Sequence, residues 1–133
     1  MIAKVSVGVI GLGYVGLPIL HLLSKKKIKC FGFDINEDKL NKIKKNISYV
    51  SDLKNSDLKI IDKKNIFSMQ ELQSIEKIDY LIFCLPTPLY RNYKPDMSLI
   101  KSAFELTKPY LKKKSNNSIR KHGIPRSNQR NIL

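Results

Sequence analysis

Three glycines, Gly11, Gly13 and Gly16, constrain this chain more tightly than anything else in its sequence. They close a Val/Ile-rich run from Lys4 to Ile10, which reads as a strand buried on both faces. From Tyr14 the period becomes helical: Val15, Ile19, Leu22 and Leu23 share one face of a helix that runs to about Lys26, and Pro18 is tolerated near its first turn. A strand that passes into a helix through Gly11-Leu12-Gly13-Tyr14-Val15-Gly16 makes a separate demand of each glycine. The first allows the tight turn, the second lets the backbone approach a pyrophosphate, and the third lets the helix pack closely on the sheet. The helix N-terminus adds free amides and a partial positive charge.

The next strand, Ile28 to Phe33, ends in Asp34, 18 residues beyond Gly16. A carboxylate at that tip accepts hydrogen bonds from a ribose 2′-hydroxyl and repels a 2′-phosphate, which favours NAD over NADP, although Lys39 pulls the other way. The plainer alternatives are a turn or helix-cap role for Asp34 and a ligand-free strand-to-helix turn for the glycines. Leu40, Ile43 and Ile47 mark a second helix, whereas residues 48–65 show no clear period. Ile66-Phe67 reads as a short strand, Met69 to Ile75 as a weak helix, and Tyr80 to Cys84 as a strand. Pro86-Thr87-Pro88 forces an extended exit, and Ile100, Ala103, Phe104, Thr107 and Leu111 give a last helical face, capped at Asp96 or Ser98. This alternation predicts an α/β fold, a Rossmann-type doubly wound parallel sheet over residues 1–111 that stops after its fourth strand and the helix that follows.

At 133 residues the chain has room for one domain and none for a separate catalytic lobe. Its net charge of +14 suggests an anionic partner. However, Lys112, Lys113, Lys114, Arg120, Lys121, Arg126 and Arg130 carry half of that excess in a stretch without acids, and no recognition-helix pattern accompanies it. Nucleic acid is therefore not expected as a partner. Neither a membrane span nor a signal peptide is legible, which implies a cytoplasmic protein. Cys30 and Cys84 lie in strand-like runs and read as reduced core thiols, and no metal-ligand spacing surrounds them. His21 reads as a surface or boundary residue of the first helix.

GLGYVG at 11–16, Gly32-Phe33-Asp34, Leu85-Pro86-Thr87-Pro88-Leu89 and Pro95-Asp96-Met97-Ser98 together resemble the N-terminal NAD-binding domain of the UDP-glucose/GDP-mannose dehydrogenase family. The fuller pattern is most similar to bacterial UDP-N-acetylglucosamine 6-dehydrogenases of polysaccharide synthesis. The resemblance covers residues 1 to about 111. It implies that Gly11, Gly13, Tyr14, Val15 and Gly16 form a pyrophosphate turn and that Asp34 and Lys39 hold the adenosine ribose. It also implies that Leu85, Pro86, Thr87 and Pro88 line the cofactor crevice, with the Thr87 hydroxyl as the polar contact or else a satisfied loop hydroxyl. Such enzymes oxidise the C6 alcohol of a UDP-sugar to a carboxylate with two NAD, through a thiohemiacetal on a cysteine. The family places that cysteine beyond residue 133, so neither Cys30 nor Cys84 matches it. This chain alone is expected to be inactive, and oligomers are expected of the full-length family only.

After the last helix the family continues with a fifth strand and a turn of the type LEST-x-YPG-x-T. Residues 112–133 read instead as a basic, aperiodic tail. A permitted codon choice for Ile119 to Ile132, read one base later, spells LESTVYPGVTKEI, and Lys112-Lys113-Lys114 implies an A-rich tract where a base is easily gained or lost. The tail is thus expected to be disordered or the product of a shifted reading frame. Two other functions fit the residues less well: a free-standing Rossmann protein that binds NAD(H) or a nucleotide, and a basic nucleic-acid-binding module.

Overall fold

The computed structural model describes residues 4–111, so the basic tail and its reading-frame interpretation lie outside the described residues. Four strands, β1 (Ser6–Ile10), β2 (Lys29–Asp34), β3 (Ile66–Ser68) and β4 (Tyr80–Phe83), form one parallel sheet in the order β3-β2-β1-β4. Three helices accompany them: α1 (Gly16–Lys25), α2 (Glu37–Lys44) and α3 (Ser98–Leu111). The chain builds outward from β1 to β3, then returns to the other side of β1 for β4. That reversal opens a crevice between the carboxyl ends of β1 and β4.

Both faces of the sheet are covered, which is why its central strands are nearly continuous in apolar residues. On one face Val9 and Cys30 pack with Leu17 and Leu20 of α1 and with Leu40 and Ile43 of α2. On the other, Ile10, Phe31 and Phe33 pack with Ile75, Ile78 and Ala103. Phe67 of β3 stacks on Phe33 with ring centroids 5.6 Å apart and so anchors the outermost strand. The Asn36 side chain caps α2 by accepting from Lys39 N at 3.2 Å, and Asp96 Oδ1 accepts from Ser98 N at 2.9 Å where α3 begins.

The structure corrects two expectations and assigns a stretch that the sequence leaves open. The face α1 buries is Gly16, Leu17 and Leu20; Val15 and Leu22 are exposed, while Ile19 and Leu23 are only partly buried. Gly16 must lie against the sheet, and that contact rotates the helix away from the face its most apolar residues would choose. The segment across Met69 to Ile75 is not an α-helix; a 3₁₀ turn spans Gln73–Lys77 instead. Residues 48–65, which lack any period, supply Val50, Leu53, Leu58 and Ile61 to the core from loops and a 3₁₀ turn at Asn55–Ile60. Leu58 is fully buried there. Leu58→Ala should cost about 2–5 kcal/mol, read as a lower midpoint in urea unfolding. A cost below about 1 kcal/mol would mean this segment is not core.

Candidate functional site

The glycine turn sits at the carboxyl end of β1, where the crevice opens. Gly11 has φ +97, and a Cβ there would strike the Cys84 carbonyl and the Leu85 side chain. Its amide donates to Phe33 O at 2.8 Å. A Cβ on Gly16 would run into the carbonyl of Gly11, so this position admits no larger residue without moving α1. Gly13 differs: a Cβ there would approach only the Lys39 ammonium, at 3.8 Å. The backbone at Gly13 therefore faces open space beneath a cation.

The first bond of α1 runs from Leu17 N to Gly13 O at 3.1 Å, and the amides ahead of it have no intrahelical acceptor. Val15, the N-cap, makes no side-chain cap bond, and the first turn holds no acidic residue. No side chain of the helix itself compensates its positive end. Tyr14 and Val15 are 76% and 63% exposed, so neither packs in the core. A small, open, electropositive backbone surface of this kind suits an anion such as a diphosphate.

Asp34 closes the second side of the turn. It is 8% exposed; its Oδ2 accepts from Leu12 N at 2.7 Å and its Oδ1 from Asn36 N at 2.8 Å. The turn role is therefore real, yet each carboxylate oxygen has a second lone pair, and Asp34 still borders the crevice. Sequence reasoning missed Tyr49, whose hydroxyl donates to the Leu12 carbonyl and whose ring lies 5.8 Å from the Lys39 ammonium. Burial, and then the Asp34 charge, push the Tyr49 phenol well above its ordinary range, so it remains a donor. No local pattern could have flagged a single tyrosine in an aperiodic stretch.

Beside the turn lies a half-open cavity of about 130 Å³, continuous with solvent. Gly11, Asp34, Ile35, Met69 and Leu85 line it, together with Leu99, Ser102 and Leu106 of α3. It takes Leu85 from the predicted crevice residues; Pro86, Thr87 and Pro88 sit exposed on the loop beyond. Ile35, Met69 and the α3 residues were not anticipated, because only the packing of α3 beside the ends of β1 and β4 brings them together. Its almost wholly apolar lining, with Asp34 at the rim, suits a flat heteroaromatic group attached to a sugar diol. Among the described residues no group of three or more His, Cys, Asp or Glu could hold a metal ion, and no helix is long and apolar enough to cross a membrane.

The sequence model for the UDP-glucose/GDP-mannose dehydrogenase family, NAD binding domain, matches residues 5–132. This chain belongs to that family. The matched span runs past the described residues into the basic tail. Among relatives of this dehydrogenase family, Protein CapL of Staphylococcus aureus is 34% identical over 100 residues, 75% of this chain and 23% of the relative. UDP-N-acetyl-D-glucosamine 6-dehydrogenase of Pseudomonas aeruginosa is 33% identical over 109 residues, 81% of this chain and 25% of that enzyme. The chain thus spans about a quarter of the length of the curated relatives it matches. A solved ternary complex of GDP-mannose dehydrogenase from Pseudomonas aeruginosa superposes with a TM-score of 0.71 at 21% identity, over 83% of this chain and 26% of that one. The native UDP-N-acetyl-mannosamine dehydrogenase Cap5O from Staphylococcus aureus gives 0.66 at 25% identity, over 80% and 26%. These likenesses bear out the expected Rossmann-type fold.

Two outcomes follow from the site's geometry. Gly16→Ala should lose about 3 kcal/mol in urea unfolding, whereas Gly13→Ala should stay within about 1 kcal/mol of the parent, since only the latter side chain has room. Burial also raises the Cys84 thiol, and burial outweighs the Ser24 hydrogen bond in raising that of Cys30. Both should be alkylated by iodoacetamide at pH 7 more slowly in the folded chain than after unfolding, as followed by mass spectrometry.

Proposed function

We propose that this chain is the NAD-binding, N-terminal portion of a nucleotide-sugar 6-dehydrogenase whose substrate is a UDP-N-acetylhexosamine, and that it works in the cytoplasm. The observation that carries the reading is the uncapped α1 N-terminus behind Gly13, with Asp34 fixed at the tip of the neighbouring strand. The names of the UDP-N-acetyl-D-glucosamine 6-dehydrogenase relative and of Cap5O support the substrate class.

In this reading the amides of Gly13, Tyr14 and Val15, with the dipole of α1, hold the diphosphate of NAD. Asp34 accepts from the adenosine ribose diol, and the apolar cavity between Ile35 and Leu106 takes the adenine. Lys39 adds a cation over Gly13. Leu85, Pro86, Thr87 and Pro88 direct the remainder of the dinucleotide along the crevice between β1 and β4, with the Thr87 hydroxyl as its polar contact. NAD, when bound, supplies the hydride acceptor. We assign a catalytic role to neither cysteine, since burial keeps both thiols protonated at neutral pH.

Fluorescence titration of the 133-residue chain with NADH and NADPH tests the proposal. NADH should bind at least about tenfold more tightly than NADPH, because a 2′-phosphate would meet Asp34. Asp34→Asn should weaken NADH by about tenfold or more, the loss of a charged acceptor, and narrow that preference. A folded chain that ignores millimolar NADH would refute the assignment.

A further inference from the structure

We propose that Tyr49 is a positioning residue for the dinucleotide: its hydroxyl fixes the Leu12–Gly13 peptide plane, and its ring seats the Lys39 ammonium over Gly13. The inference rests on the reading that a diphosphate binds the glycine turn.

Two successive peptide planes of that turn are held by side chains from distant parts of the chain. Asp34 Oδ2 takes the Leu12 amide at 2.7 Å, which fixes the Gly11–Leu12 plane. The Tyr49 hydroxyl, 37 positions away in sequence, donates to the Leu12 carbonyl. In a trans peptide the amide N–H points opposite to the carbonyl. Binding the Leu12 carbonyl to Tyr49 therefore directs the Gly13 N–H away from Tyr49 and prevents the plane from turning. Gly13 is where such control matters, because glycine imposes little of its own.

The position of Tyr49 is itself constructed. Ser48 N donates to Asn55 Oδ1 at 2.8 Å, Ser48 Oγ donates to Val50 O at 2.9 Å, and Val50 is buried in the core on the α1 face. These contacts hold the backbone on both sides of the tyrosine. The half-buried ring then lies 5.8 Å from the Lys39 ammonium, within cation–π range, and that ammonium stands 3.8 Å from where a Gly13 Cβ would be. One side chain thus sets both the direction of a backbone donor and the place of a cation, the two groups a diphosphate would engage.

Calorimetric titration of the full chain with ADP-ribose, which carries the diphosphate, and adenosine, which does not, tests this role in Tyr49→Phe and Tyr49→Leu. Tyr49→Phe keeps the ring and should weaken ADP-ribose by about tenfold while leaving adenosine within about twofold. Tyr49→Leu should weaken ADP-ribose further and flatten its salt dependence, since Lys39 loses its seat. Unchanged ADP-ribose affinity in Tyr49→Phe, or an equal loss for both ligands as expected from a smaller folded fraction, would overturn the proposal. NADH binding by the parent chain separates the two readings: without it the dinucleotide assignment falls, and with it only the role of Tyr49 is at stake.

Discussion

The contact between Gly16 and the Gly11 carbonyl is the constraint on which the rest of the structure depends. It brings the N-terminus of α1 directly onto the end of β1, so the helix leaves the sheet with its first amides uncovered. The same contact sets the rotation of α1. Leu17 and Leu20 then face β2, where Gly32 leaves just enough room for Leu20 and Leu12, and Val15 and Leu22 turn outward. A side chain at Gly16 would push the start of α1 off the Gly11 carbonyl, and so would strain the site and the core on that face together.

Around this contact the turn is held by groups that compensate one another. Asp34 takes an amide from the turn and one from its own strand exit, Tyr49 takes a carbonyl, and Lys39 lies against the Tyr49 ring. A buried carboxylate so engaged restrains the backbone without blocking the open side of Gly13. The polar groups that shape the site are thus spent on the protein's own backbone, while the helix end and the apolar cavity remain for a ligand. That division of labour suits a dinucleotide, whose diphosphate needs donors and whose base needs only a flat apolar slot.

Legibility in the sequence followed the range of the interactions. The turn, β2 with Asp34, and the β4 exit through Leu85 and Pro86 were readable because each rests on neighbours in the chain: glycine spacing, β-branched runs, proline. The core contribution of Leu53 and Leu58 was not, because 3₁₀ turns and loops bury single residues with no period to betray them. The α1 face was misjudged for a related reason: hydrophobicity named Val15 and Leu22, while a steric contact at Gly16 decided the matter.

By itself the sequence determined the order of the four strands, the family, and a glycine turn between β1 and α1 followed by an acidic strand tip, since all of these are written in local spacing. Only the tertiary structure decided that Tyr49 reaches the Leu12 carbonyl, that Lys39 stands over Gly13, and that α3 closes a cavity against Ile35 and Met69. Those contacts join residues far apart in the chain. Their geometry comes from how the layers pack, and no periodicity along the backbone encodes it.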